Sequence, residues 1–267
     1  MTVKSIVIEE KQVYYTVMGQ GQPVVLIHGF AEDSDVWRYQ VQTLSKFFLL
    51  IIPDLPGSGR SAMLKDMSIE GLAGSIKSIM DAERLENSLV IGHSMGGYIT
   101  LALAEKYPGL LKGIGLFHST AFADTEEKKA IRRRGIAFMQ TQGSAAFIAQ
   151  SVPNLFTEDY RIKNNAILAG MTARYSSFDA LALVAYYEAM IQRPDRTTVL
   201  QSINKPVLFI IGKQDKAIPF EDSMQQCHLP QMAMIHILEQ SAHMGMWEEK
   251  EKSSQAMLSF LQNAQQF

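Results

Sequence analysis

The chain of 267 residues has a single cysteine, only two tryptophans, no long apolar run and almost no excess of either charge. Each scarcity excludes a class of protein. One thiol, Cys227, makes no internal disulfide, so the fold must rest on its core, and a reducing cytoplasm is the expected setting. The opening Met1-Thr2-Val3-Lys4 leads straight into strand-like sequence without an apolar signal core, in keeping with that expectation. No stretch approaches the roughly 18 apolar residues needed to span a bilayer, so no membrane partner is expected. Lys+Arg at 25 against Asp+Glu at 27 gives a formal net charge of -2, too little positive charge for a broad nucleic-acid footprint. The one dense basic run, Arg132-Arg133-Arg134, reads as a solvated helix face. Cys227 stands next to His228, but adjacency in sequence does not bring two side chains into reacting geometry, and Cys227 is not taken as a nucleophile.

What is present is an ordinary globular composition, 47% hydrophobic and 19% charged, long enough for one large α/β domain with an insertion. Ser5 to Glu9 and Gln12 to Val17 read as an antiparallel pair at a sheet edge. Buried strand-like runs follow at Val24 to His28, Phe47 to Ile52, Leu89 to Ile91 and Leu110 to Phe117. A helix capped by Ser68 and another over Met95 to Tyr107 lie between them. From 121 to 195 the β-rich runs vanish, and helical stretches appear with breaks expected at Gly143, at Val152-Pro153-Asn154 and near Gly170. Alternation resumes with a strand over Val207 to Ile211, a helix over Glu221 to Cys227, a strand over Met232 to Leu238 and a helix from Met246 to Gln262. The expected architecture is therefore a mostly parallel α/β core, residues 1–120 and 196–267, with a helical cap, 121–195, inserted after the sixth strand.

The chemistry centres on Gly92-His93-Ser94-Met95-Gly96, a G-x-S-x-G run placed between a strand and a helix. Such a turn pushes the serine hydroxyl above the sheet edge, beside the positive end of a helix dipole. A serine hydroxyl attacks poorly at neutral pH, so a histidine must take its proton. Of six histidines, His28 and His93 flank glycine turns and read as structural, His236 lies inside a strand, and His228 ends a polar helix. His243, in the loop after the last strand, is the best candidate base. Asp215, just past the Val207 to Ile211 strand, is placed to orient that imidazole. The amides of Met95 and Phe30 are the candidate donors to the oxyanion that attack creates. His118, Tyr98 and Met244 are the candidate substrate contacts. Phe138, Met139, Phe147, Phe156, Met171, Phe178, Tyr186, Tyr187 and Met190 supply the apolar matter of the cap, mostly as its core.

With His28-Gly29-Phe30, Asp54-Leu55-Pro56-Gly57-Ser58-Gly59, Gly92 to Gly97, Asp215 and His243, the sequence resembles the α/β-hydrolase superfamily over essentially its whole length. The resemblance implies a sheet of about eight strands, the first pair antiparallel, roofed by the cap. Ser94 stands where dehalogenases and epoxide hydrolases of this fold carry aspartate, and His28-Gly29-Phe30-Ala31 differs from the His-Gly-Gly-Gly loop of many lipases. The pattern is most similar to small capped carboxylesterases and their relatives. The expected activity is hydrolysis of small to medium apolar carboxylic esters through an acyl-enzyme on Ser94, with no cofactor and no metal. Two other hydrolase-fold chemistries stay open, carbon–carbon cleavage of ring-cleavage products and cofactor-free perhydrolase or haloperoxidase activity. The first would call on a cation such as Arg174 or Arg193 to hold a carboxylate. A ligand receptor built on the same fold is the non-enzymatic alternative. Oligomeric state and physiological substrate are not set by the sequence.

Overall fold

In the computed structural model, which describes residues 1–267, the unbroken apolar runs form the middle of one eight-stranded sheet. The strands are β1 (Thr2–Ile8), β2 (Lys11–Met18), β3 (Pro23–Ile27), β4 (Leu49–Pro53), β5 (Ser88–His93), β6 (Leu111–Phe117), β7 (Val207–Gly212) and β8 (Ala233–Leu238). Their spatial order is β1-β2-β4-β3-β5-β6-β7-β8. β1 and β2 pair antiparallel, β2 meets β4 antiparallel, and the remaining pairs are parallel. Every residue of β5 and β7 is buried, as expected where helices cover both faces of a parallel sheet. β8 instead alternates and leaves Ile235 and Ile237 partly exposed, the pattern of an edge.

The helices are α1 (Arg38–Leu44), α2 (Ile69–Ala82), α3 (Met95–Lys106), α4 (Glu126–Asn154), α5 (Glu158–Lys163), α6 (Asn165–Tyr175), α7 (Ala180–Gln192), α8 (Thr197–Ser202), α9 (Phe220–Gln226), α10 (Gly245–Glu248) and α11 (Lys250–Ala264). α2 packs on α3 and α1 on α11, giving the helical layers that flank the sheet. Ser68 caps α2 by accepting the Gly71 N–H at 3.0 Å, as its position before the apolar periodicity predicts. α1, between β3 and β4, has no counterpart among the sequence expectations.

Between β6 and β7 the chain leaves the sheet to form α4 to α7 and returns. The two ends of the excursion meet, because the Arg196 N–H donates to the Ala121 carbonyl at 2.8 Å. α4 kinks at Gly143, whose φ of 82 departs from helix as expected. Two expected breaks differ. α4 runs on through Pro153 to Asn154 before it stops, since that proline lies in the last turn where little of the ladder remains to be lost. α6 passes unbroken through Gly170, an interior glycine that costs some stability without ending a helix; the turns fall instead at Asn164 and after Tyr175. The C-terminal helix is likewise in two pieces, α10 and α11, parted at Glu249.

The strand order reverses direction at β3, which lies between β4 and β5. In an open α/β sheet the crevice at the carboxyl ends of such neighbouring strands is where ligands bind. The loops after β3 and β5 therefore open side by side.

Candidate active site

β5 enters α3 through a single residue, Ser94, held at φ 50 and ψ -115. A left-handed non-glycine residue is strained and persists only where its surroundings fix it. They do so here by close approach. A Cβ at Gly96 would fall 2.4 Å from the Ile27 carbonyl oxygen, and one at Gly92 would fall 2.1 Å from the Gly96 carbonyl oxygen. The Ser94 N–H donates to Phe117 at 2.9 Å, and its carbonyl accepts the Ser119 hydroxyl at 2.7 Å.

His243, in the loop between β8 and α10, brings Nε2 to 2.9 Å from the Ser94 hydroxyl oxygen. Its Nδ1 lies 2.8 Å from Asp215 Oδ2. A carboxylate only accepts, so Nδ1 carries the proton and Nε2 is left to accept from the serine. The other Asp215 oxygen accepts the Ala217 and Ile218 amides at 2.8 and 3.0 Å, which fixes the carboxylate. Burial opposes ionisation of Asp215, but the facing His243 outweighs it and holds its pKa far below the usual carboxylate range. Burial likewise opposes protonation of His243, and the Asp215 charge overcomes it, so the His243 pKa is raised. The structure thus brings together Ser94, Asp215 and His243, as their positions after β5, β7 and β8 predict.

His118 does not face the pocket. It adopts φ 47, and its buried ring turns under the sheet edge behind Asp215. Nδ1 accepts the Gly212 N–H at 3.0 Å and stands 3.3 Å from Asp215 Oδ2. Because a backbone N–H only donates, that nitrogen bears no proton and makes no true hydrogen bond to Asp215. Burial pushes the His118 pKa down to about 4, so the ring is neutral, and its Nε2 has no partner. His28 and His93 are the structural residues their glycine settings suggest. His28 Nε2 accepts the Leu55 amide at 3.0 Å. His93 Nδ1 lies 2.9 Å from Glu32 Oε2, and that same oxygen accepts the Gly29 N–H at 2.7 Å. Glu32 was not singled out in the sequence; its only trace there is its place three residues after Gly29. Cys227 is buried, which raises its thiol pKa to about 11 and leaves it inert at neutral pH.

Ser94 and His243 open into a cavity of about 250 Å³, small beside the usual range for ligand pockets. Tyr98 and Met244 line it, and so do Phe30, Met171, Tyr187 and Met190. The Phe30 ring stacks on Tyr187 with centroids 4.3 Å apart, joining the loop after β3 to α7. The Phe30 N–H has no acceptor elsewhere in the protein, and the Met95 N–H, at the start of α3, has none within its helix. Both amides are therefore free to donate to a ligand oxygen.

The expectation that Arg132 belongs to a solvated face is wrong. Its side chain turns inward, donates to the buried Asp124 carboxylate through Nε at 2.6 Å, and lines the cavity. Arg133 and Arg134 stay exposed. Arg174 and Arg193, the cations considered for a substrate carboxylate, are both placed elsewhere. Arg174 pairs with Asp33 at 2.7 Å, tying α6 to the loop after β3 in a separate cleft. Arg193 lies behind Tyr98, 3.8 Å above its ring centroid.

A model of the alpha/beta hydrolase fold matches residues 22–250. The chain is 25% identical over 257 residues to an (E)-2-((N-methylformamido)methylene)succinate hydrolase of Acinetobacter baylyi, covering 93% of this chain and 94% of that protein. It is 27% identical over 268 residues to a pimeloyl-(acyl-carrier protein) methyl ester esterase of Vibrio cholerae, covering 92% and 97%. A thermophilic esterase structure from Thermogutta terrifontis superimposes with a TM-score of 0.91 at 25% identity over 99% of both chains. The enol-lactonase from Burkholderia xenovorans, at 23% identity, shares the fold with a TM-score of 0.90 over 97% of this chain and 100% of its own.

Proposed function

The chain belongs to the alpha/beta hydrolase fold family and is an enzyme of that type, and we propose that it hydrolyses small carboxylic esters through an acyl-enzyme on Ser94. The observation that carries this reading is the Ser94 hydroxyl lying 2.9 Å from a histidine nitrogen whose opposite nitrogen is held by a carboxylate. Similarity to a methyl ester esterase and to a thermophilic esterase structure supports it.

In this mechanism Ser94 Oγ attacks the ester carbonyl carbon as His243 Nε2 takes its proton. The Asp215 carboxylate stabilises the imidazolium so formed. The carbonyl oxygen, now an oxyanion, accepts from the Phe30 and Met95 N–H groups, an arrangement that typically lowers such barriers by several kcal/mol. His243 then returns its proton to the leaving alcohol, and the acyl group stays on Ser94. Water, deprotonated by His243, attacks the acyl-enzyme and releases the acid with Ser94 restored.

Residues 121–195 act as a cap over this site and residues 1–120 with 196–267 as the core. The cap contributes Met171, Tyr187 and Met190 to the cavity, and these apolar walls suit the hydrocarbon part of a substrate. A cytoplasmic location fits the single buried thiol, and no helix is long and apolar enough to cross a membrane. The test is hydrolysis of 4-nitrophenyl esters from acetate to decanoate beside Ser94→Ala. Many turnovers by the wild type and none by the variant support the reading; a burst that stops near one equivalent sinks it in favour of a ligand receptor.

A further inference from the structure

Asp124 is fully buried and receives two guanidinium groups, Arg132 through Nε at 2.6 Å and Arg193 through Nη1 at 2.8 Å. One carboxylate facing two cations leaves one positive charge uncompensated. Arg193 is spent on structure, since its nitrogens also donate to the carbonyls of Met190 and Phe122 at 2.9 Å and its plane lies on Tyr98. Arg132 is not. Its Nη1 has no acceptor in the protein, its guanidinium carbon sits 5.3 Å from the Tyr187 ring centroid, and it lines the cavity that holds Ser94 and His243.

Two lysines join it on the cavity wall. Lys128, one turn before Arg132 on α4, and Lys216, just after Asp215, both line the cavity and neither makes an ion pair. The only acid on that wall is Glu32, and its Oε2 is already taken by Gly29 and His93. Three cations thus face a small, largely apolar space whose single carboxylate is engaged. A guanidinium held in place by its own buried partner costs a ligand little ordering, and its free edge matches a carboxylate in geometry and charge.

We propose that this wall is an anion subsite, and that the ester cleaved at Ser94 carries a free carboxylate remote from the scissile carbonyl, bound by Arg132 with help from Lys128. The proposal rests on the ester-hydrolase reading and narrows it to esters with an apolar chain ending in a carboxylate. Arg132 and Lys128 hold the substrate; bond making and breaking stay with Ser94 and His243.

The test compares matched ester pairs followed by acid release. Methyl hydrogen glutarate against methyl hexanoate puts the carboxylate on the acyl side, and 4-acetoxybutanoate against pentyl acetate puts it on the alcohol side. The wild type should prefer the anionic member of at least one pair by roughly tenfold or more in kcat/KM, as a charged hydrogen bond implies. Arg132→Gln should abolish that ratio, which is insensitive to general damage, and Lys128→Gln, on a more exposed side chain, should lower it a few-fold. Calorimetry of glutarate with Ser94→Ala should show binding that Arg132→Gln in the same background removes. Hydrolysis of both members without preference, or a preference that survives Arg132→Gln, overturns the subsite and leaves the ester reading intact. Absence of hydrolysis with Arg132-dependent glutarate binding overturns the ester reading and leaves the subsite; absence of both overturns both.

Discussion

The carbonyl oxygen of His243 accepts a hydrogen bond at 3.0 Å from Nε2 of His93, the residue immediately before Ser94. The loop that carries the base is thus tied to the strand that carries the nucleophile, through a ring whose other nitrogen is anchored on Glu32. Glu32→Gln weakens that anchor without removing the side chain. The variant should lose roughly 10- to 100-fold in kcat with KM little changed, because misplacing a base by a fraction of an ångström is costly. Steady-state kinetics on a 4-nitrophenyl ester will show this; a wild-type kcat in Glu32→Gln would mean that the tie does not position His243.

The raised His243 pKa sets the pH profile. His243 must be neutral to accept the Ser94 proton, so kcat/KM should rise through a midpoint above the ordinary histidine value of 6.5. Asp215→Asn removes the charge responsible and should shift the midpoint downward, while kcat falls by roughly 10⁴ as the tautomer is lost. An acid limb that stays in place in Asp215→Asn would refute the assignment. For stability the sign is opposite. The folded state holds the His243 proton more tightly than the unfolded chain, so this contribution is complete below pH 6.5 and disappears as pH rises through the folded pKa.

Gly245 is fixed by the ring behind the carboxylate. A Cβ there would fall 2.5 Å from His118 Nε2 and 2.5 Å from Leu238 Cδ1. Gly245→Ala should therefore press His118 toward Asp215 and destabilise the protein by about 1–3 kcal/mol, the usual cost of overpacking. Denaturant unfolding measures the loss; an unchanged midpoint would show that the loop yields freely.

The stack of Phe30 on Tyr187 makes α7 a wall of the cavity. Tyr187→Ala should open space beside Ser94 and move the preferred acyl chain length upward by a few carbons, read from kcat/KM across the acetate to decanoate series. The same preference in the variant would place the acyl chain elsewhere.

Most of the architecture is legible because buried parallel strands announce themselves as short apolar runs, as at Pro23–Ile27 and Val207–Gly212. Ser94, Asp215 and His243 are legible for a related reason: each lies in the segment that follows a strand, Ser94 directly after β5, Asp215 in the turn after β7 and His243 in the loop after β8, and a residue beyond the carboxyl end of a strand has one edge to face. Side-chain direction is what stays hidden. Arg132 reads as surface among two other arginines, and its inward turn depends on Asp124, which lies before the helix begins. His118 follows a strand as Ser94 does and shares its positive φ, yet its ring packs behind Asp215 and away from the cavity, a difference in side-chain direction that the sequence does not carry. Glu32 sits in an irregular loop where no periodicity marks one face from another.

The hydrogen bond from Arg196 to Ala121 makes the segment above the sheet a cassette with touching ends. β6 and β7, which flank it, remain direct partners in the sheet, with Ile114 opposite Val207 and Phe117 opposite Ile210. Exchange of the cassette for one of different length and lining would leave that register unaltered. The scaffold carrying Ser94, Asp215 and His243 meets the cassette at one critical point, since the His243 N–H donates to the Leu155 carbonyl at 2.9 Å, so any transplanted stretch would have to present that acceptor to keep the base in place.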